Sequence, residues 1–138
     1  MKAPKLAYVV EDDRITATIT ELIAKKDLRC RAVQTFGNGQ QAFEKLATAV
    51  DEEDGIPDLI LLDLNMPLMD GWEFLDAFAT LKLTQQVCVF VLTSSIHPDD
   101  IEKATRYQVV KGYFSKPLDN QNVARMKTLL QEVGICRY

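Results

Sequence analysis

Side chains that bind soft metals or carry redox chemistry are scarce in this chain: one histidine, His97, and three cysteines, Cys30, Cys88 and Cys136. The cysteines are odd in number, widely spaced and lack a CxxC pair, so they read as structural thiols rather than a disulfide framework or a zinc site. No apolar run approaches the ~20 residues a membrane span needs. The first ten residues, MKAPKLAYVV, lack the apolar core and cleavage pattern of a secretory signal. The expectation is a cytoplasmic protein with no membrane contact. Basic residues number 16 against 20 acidic ones, a net charge of −4 without a basic stripe. That argues against nucleic acid as a direct partner, because phosphate contacts need clustered cations.

The 138 residues, 47% hydrophobic and 26% charged, suffice for one core and not for two. Without a repeat, low-complexity tract or linker, a single domain with a core of about 5–133 is expected. Apolar runs alternate with helical patterns from end to end, the signature of βα units and a parallel sheet covered on both faces. Strands are predicted over 6–10, 30–36 (weaker), 58–62, 87–92 and just before Lys116; those over 58–62 and 87–92 are almost wholly apolar, as central strands should be. The first helix places Ile15, Ile19, Leu22 and Ile23 at i, i+4, i+7, i+8, predicting an inward face. GNGQ at 37–40 marks a turn, and the second helix carries Ala42, Phe43, Leu46 and Ala47 before an acidic loop at 51–54. A third helix starts near Gly71 with Trp72, Leu75 and Phe78 inward. A fourth starts at Pro98 and Asp99, and a fifth spans 119–133 with Gly134 as its C-terminal cap.

What stands at the strand ends carries chemistry. The run LILL enters Asp63 and breaks at Pro67; LAYVV enters Glu11, Asp12 and Asp13; VCVFVL enters Thr93 and Ser94; GYFS enters Lys116 and Pro117. In an open parallel sheet the functional crevice lies outside the carboxyl ends of the strands, so Glu11, Asp12, Asp63, Thr93 and Lys116 converge by topology. Three adjacent carboxylates repel by about 1 to 4 kcal/mol per pair at ~4 Å. Lys116 and one divalent ion would balance them, and oxygen-only donors favour Mg²⁺ over Zn²⁺. Each piece alone has a structural reading. An acidic triplet before a helix caps it, and Thr-Ser-Ser or Lys-Pro is turn chemistry; the joint placement points to a site.

The acid pair, DLNMPLMDG from Asp63, VLTSS and GYFSKPL occur in an order that resembles the receiver domain of two-component response regulators, of the stand-alone chemotaxis-regulator kind, over nearly the whole chain. The resemblance implies a doubly wound (βα)5 fold with flavodoxin-like strand order 2-1-3-4-5. It implies that Asp63 is a phosphoacceptor served by a sensor histidine kinase or phosphotransfer protein, and that Glu11, Asp12, Asp63 and the Asn65 carbonyl hold Mg²⁺. By the same resemblance Lys116 would pair with the phosphoryl oxygens, the Lys116–Pro117 bond would be cis, Thr93 would hydrogen-bond the phosphoryl group, and Tyr113 would be the aromatic switch, with Ser95 and Asn65 flanking the water path. Output is expected through the face of the fourth helix, fifth strand and fifth helix, to a partner protein or a phosphorylation-dependent dimer, with no attached output domain and no enzymatic turnover beyond self-phosphorylation and self-dephosphorylation.

Trp72 reads as packing close enough to report on the site, His97 as a surface residue, and Asp13 as a helix cap. Two segments depart from the family pattern. YQVV at 107–110 replaces a small pair, so the end of the fourth helix should pack differently, and the acidic loop at 50–56 is long. A Mg²⁺-dependent phosphatase with an aspartyl phosphate is disfavoured because Asn65 stands where such hydrolases place a second acid. A flavin-binding domain is disfavoured because the acids would repel its phosphate. A phosphorelay shuttle is not separated from an end-point regulator.

Overall fold

In the computed structural model all residues are described except 1, 84, 95, 96, 136 and 138; Ser95 and Cys136 therefore lie outside the described residues. Strands β1 (Leu6–Val10), β2 (Ala32–Phe36), β3 (Leu59–Asp63), β4 (Cys88–Thr93) and β5 (Val110–Ser115) alternate with helices α1 (Arg14–Lys26), α2 (Gly39–Glu52), α3 (Gly71–Phe78), α4 (Pro98–Ala104) and α5 (Asn120–Glu132). The strands form one parallel sheet in the order β2-β1-β3-β4-β5, the expected doubly wound α/β architecture.

Strand periodicity divides the core. Tyr8, Val10, Ile60, Leu62, Val89 and Val91 face α2 and α3, packing on Leu46, Phe74, Leu75 and Phe78. Their neighbours Ala7, Val9, Leu59, Leu61, Phe90 and Leu92 face α1 and α5, with Ala24, Met126 and Leu130. Strands β3 and β4 are buried at every position. Both shift one residue later than expected, so Asp63 and Thr93 are the last residues of their strands rather than the first beyond them. The edge strand β2 is two residues shorter than expected and starts after Arg29, which has a left-handed φ of 58°.

The inward face expected for α1 is wrong. Ile15, Ile19 and Leu22 are exposed at 74%, 49% and 48%, and the helix buries Ala17, Thr20 and Ala24 instead. These three sit at i, i+3, i+7, an equally valid helical stripe, and their small size lets the backbone approach the sheet. Thr20 satisfies its hydroxyl by donating to the Thr16 carbonyl at 2.8 Å. The segment 51–54 is exposed as expected, but Asp51 and Glu52 form the last turn of α2 and Glu53 caps it in the left-handed conformation, φ 54°.

His97 has a defined role as the N-cap of α4, where Nδ1 accepts from the Asp99 amide at 3.2 Å. Cys30 and Cys88 are buried thiols, as structural cysteines should be.

Candidate functional site

Asp63 ends β3 and is 4% exposed; Glu11 follows β1 at 5%, Thr93 ends β4 at 1%, and Asp12 is exposed. Hydrogen bonds of the surrounding backbone fix this layout. The Glu11 amide donates to Phe36 O at 2.9 Å, and the Lys116 amide donates to Thr93 O at 2.7 Å. The Lys116–Pro117 peptide is cis.

The loop after Asp63 is pinned from the other side, where the Gly71 amide donates to Leu64 O at 3.0 Å. A Cβ on Gly71 would lie 2.7 Å from Asp63 O and 2.8 Å from Leu64 Cα, so only glycine lets α3 start this close to the site. Asp70 and Glu73 exchange hydrogen bonds as a capping box there.

Oxygens of Glu11, Asp12 and Asp63 lie within 4.8 Å of one another. Lys116 Nζ donates to Glu11 Oε1 at 2.6 Å and lies 3.3 Å from Asp63 Oδ1. The Asn65 amide donates to Asp63 Oδ1 at 3.4 Å, and the Asp13 amide to Glu11 Oε2 at 3.3 Å. Asp13 is the expected helix cap: its carboxylate accepts from the Thr16 hydroxyl and from the Thr16 amide, which hold its pKa below the usual value.

The charges do not balance. Burial raises the Glu11 carboxyl to about 7, and the neighbouring Asp63 charge adds to this, against the opposing Lys116 hydrogen bond. Burial pulls the Lys116 ammonium down, but Glu11 and Asp63 outweigh it and its pKa is raised. One ammonium is thus shared by two buried carboxylates, with the Asp12 carboxylate beside them.

These groups open into a cavity of about 460 Å³ lined also by Thr16, Ile19, Thr20, Asn65, Ser94, Pro117 and Leu118. The apolar rim formed by Ile19, Pro117 and Leu118 was not anticipated; the signal available was the second helical stripe at 17, 20 and 24, which turns Ile19 outward.

Tyr113 is half-buried and its hydroxyl is enclosed. Burial and the Asp100 charge raise its pKa, opposed by the Thr93 side chain, so Tyr113 stands beside Thr93. Trp72 is not among the residues lining the cavity; its ring stacks on Tyr107 with centroids 6.1 Å apart.

The response regulator receiver domain profile matches residues 7–127. The chain belongs to this family. The receiver is 30% identical over 122 residues to the nitrate/nitrite response regulator NarL of Escherichia coli, a match covering 88% of this chain and 52% of the relative, so it spans about half of that relative's length. It is 30% identical over 125 residues to the response regulator Rcp1 of Synechocystis, covering 89% and 84%. The Mn²⁺-bound form of Rcp1 shares the fold, with a TM-score of 0.72 at 24% identity over 98% of this chain and 97% of that one. A two-component response regulator from Cytophaga hutchinsonii superposes with a TM-score of 0.81 at 27% identity, covering 94% and 99%.

Proposed function

We propose that this receiver accepts a phosphoryl group on Asp63 from a histidine kinase or phosphotransfer protein and signals through protein contact. The observation that carries the reading is the sharing of Lys116 between Glu11 and Asp63 beside Asp12, at the carboxyl ends of three strands. Three carboxylates with one ammonium, and oxygen donors alone, suit a hard divalent ion, for which Mg²⁺ is the proposed identity. Glu11, Asp12, Asp63 and the Asn65 carbonyl would hold it. When bound, the ion neutralises charge that builds on the transferring phosphoryl oxygens.

The chain's own residues do the rest. A carboxylate oxygen of Asp63 forms a bond to phosphorus as the phosphorus–nitrogen bond of a phosphohistidine breaks; the departing imidazole takes the bonding electron pair and a proton from solvent. Lys116 turns from the carboxylates to the phosphoryl oxygens, and Thr93 donates its hydroxyl to them. That draws the segment after β4 toward the site, where Tyr113 already stands beside Thr93 and would hold the switched arrangement. A phosphoryl group shifts this equilibrium only through its better binding to the active arrangement. Receivers act as signalling domains, and turnover of a separate substrate is not proposed.

The phosphodonor must cover the cavity mouth, and the exposed stripe Ile15, Ile19 and Leu22 with Leu118 and Pro117 offers it an apolar seat. Output is assigned to the face of α4, β5 and α5, to another protein or a second phosphorylated copy, within the cytoplasm.

Intact mass measured after incubation with acetyl phosphate and Mg²⁺ tests the reading. One phosphoryl adduct is expected, lost in Asp63→Asn and in the presence of a chelator. No adduct on the unsubstituted chain would overturn it and leave a binding module that works without phosphate.

A further inference from the structure

Helix α4 buries a single residue, Ala104, yet it is held at its far end by a group of side chains that the site does not use. The Tyr107 hydroxyl donates to Asp76 Oδ1 on α3 at 2.7 Å. The Tyr107 ring stacks on Trp72 at an interplanar angle of 28°. Lys103, in the last turn of α4, places Nζ 4.4 Å from the centre of the Trp72 ring, a cation–π distance.

Trp72 follows Gly71, whose amide is bonded to Leu64 one residue beyond Asp63. The start of α4 follows β4 and Thr93 in the chain, and its end is tied through Trp72 and Asp76 to α3, which begins beside the site.

We propose that Trp72, Asp76, Lys103 and Tyr107 form a clasp that holds α4 in the unphosphorylated arrangement and opposes loading of the site. The inference rests on the receiver reading above. The arrangement that carries the clasp also has Lys116 on Glu11 and Asp63, the side-chain pairing that the receiver reading gives to the unloaded site. A group held on Asp63 engages Lys116 and Thr93 and draws the start of α4 inward, and the short helix then moves against its anchored end. An interaction made in one of two states shifts their balance by its own free energy. Loading the site has to overcome the clasp.

The test is a titration with beryllofluoride, a phosphoryl mimic, at saturating Mg²⁺. Backbone amide resonances near Asp63 are followed, because Trp72 fluorescence would itself respond to changes in the clasp. Tyr107→Phe keeps the ring stack and removes the hydrogen bond, and Asp76→Ala removes the acceptor from an exposed position. Each is expected to tighten beryllofluoride binding by about fivefold, the ordinary net worth of one hydrogen bond. Combined, they should tighten it no further, since both remove the same bond. Unchanged or weaker binding in both variants, with only a loss of thermal stability, would overturn the clasp and leave these residues as packing. If the unsubstituted receiver binds no beryllofluoride, the receiver reading fails and the clasp with it, an outcome distinct from equal binding by all four chains.

Discussion

Removing the charge of Glu11 should stabilise the ion-free protein at alkaline pH, although Glu11 makes one of the shortest ion pairs in the site. The Glu11 pKa is raised from 4.5 to about 7, chiefly by burial. Between those two values the folded state keeps a proton that the unfolded state has lost. Stability must therefore fall as pH rises, by about 1.4 kcal/mol per pH unit. Below about 4.5 both states are protonated and this group contributes nothing; above about 7 both are ionised and the full cost, about 3 kcal/mol, remains. The raised Lys116 pKa acts in another window, its stabilising effect being lost only at strongly alkaline pH. The lowered pKa of Asp13 matters only in acid, below the range of Glu11.

Urea unfolding in the presence of a chelator, at about pH 5.5 and about pH 8, should show a loss of about 2 kcal/mol at the higher pH. For a chain of this length that is a fall of about 5 to 10 °C in Tm. Glu11→Gln keeps an acceptor for Lys116, and its profile should be flat and higher at pH 8. Adding Mg²⁺ should raise the stability of the unsubstituted chain at pH 8, where Glu11 is ionised, far more than at pH 5.5, and should leave the variant little changed. A flat profile for the unsubstituted chain, or the same slope in Glu11→Gln, would refute the account of the charge excess.

Further substitutions probe the scaffold and the rim. Gly71→Ala should cost about 1 to 3 kcal/mol in urea unfolding and reduce the acetyl phosphate adduct, because the new Cβ meets the backbone of Asp63 and Leu64. Asp70→Ala should cost about 1 kcal/mol by removing the capping box of α3, read in the same unfolding curves. Ile19→Glu should change stability by no more than about 0.5 kcal/mol, since the side chain is exposed. It should also leave labelling by acetyl phosphate intact while slowing transfer from a phosphorylated donor protein; equal rates with the donor would remove α1 from the docking surface.

The sheet was legible because its central strands are buried on both faces, so LILL and VCVFVL carry their assignment in composition alone. The site was legible because topology places strand ends together, whatever the side chains do. Register was less so. The apolar run into Asp63 does not say whether the acid ends the strand or follows it, and only pairing of Asp63 with Leu92 on β4 decides. The face of α1 was misread for a physical reason. Hydrophobic size was taken as the marker of burial, whereas a helix lying close on a sheet buries its smallest residues, and Ala17, Thr20 and Ala24 carry little hydrophobic signal. The same error concealed the apolar rim, because Ile19 can border the cavity only if α1 faces the other way.

Lys116 shows the limit of assigning one role per residue. Charge balance set it among the acids and the family resemblance gave it to the phosphoryl oxygens; its nearest partner is Glu11 at 2.6 Å, an acid also proposed for the metal. Both assignments hold if the lysine serves two charge states in turn. With Asp63 a free carboxylate, the ammonium reduces the repulsion between Glu11 and Asp63. With an ion held by the carboxylates, the lysine would be free to turn to a group carried on Asp63. The segment at 107–110 fits the same logic from a distance. Where the family keeps small residues this chain has Tyr107, and the ring and hydroxyl placed there tie the end of α4 to the helix that starts at the site. A departure that pointed from the sequence to different packing at the end of the fourth helix is, in its contacts, a tie between that end and α3.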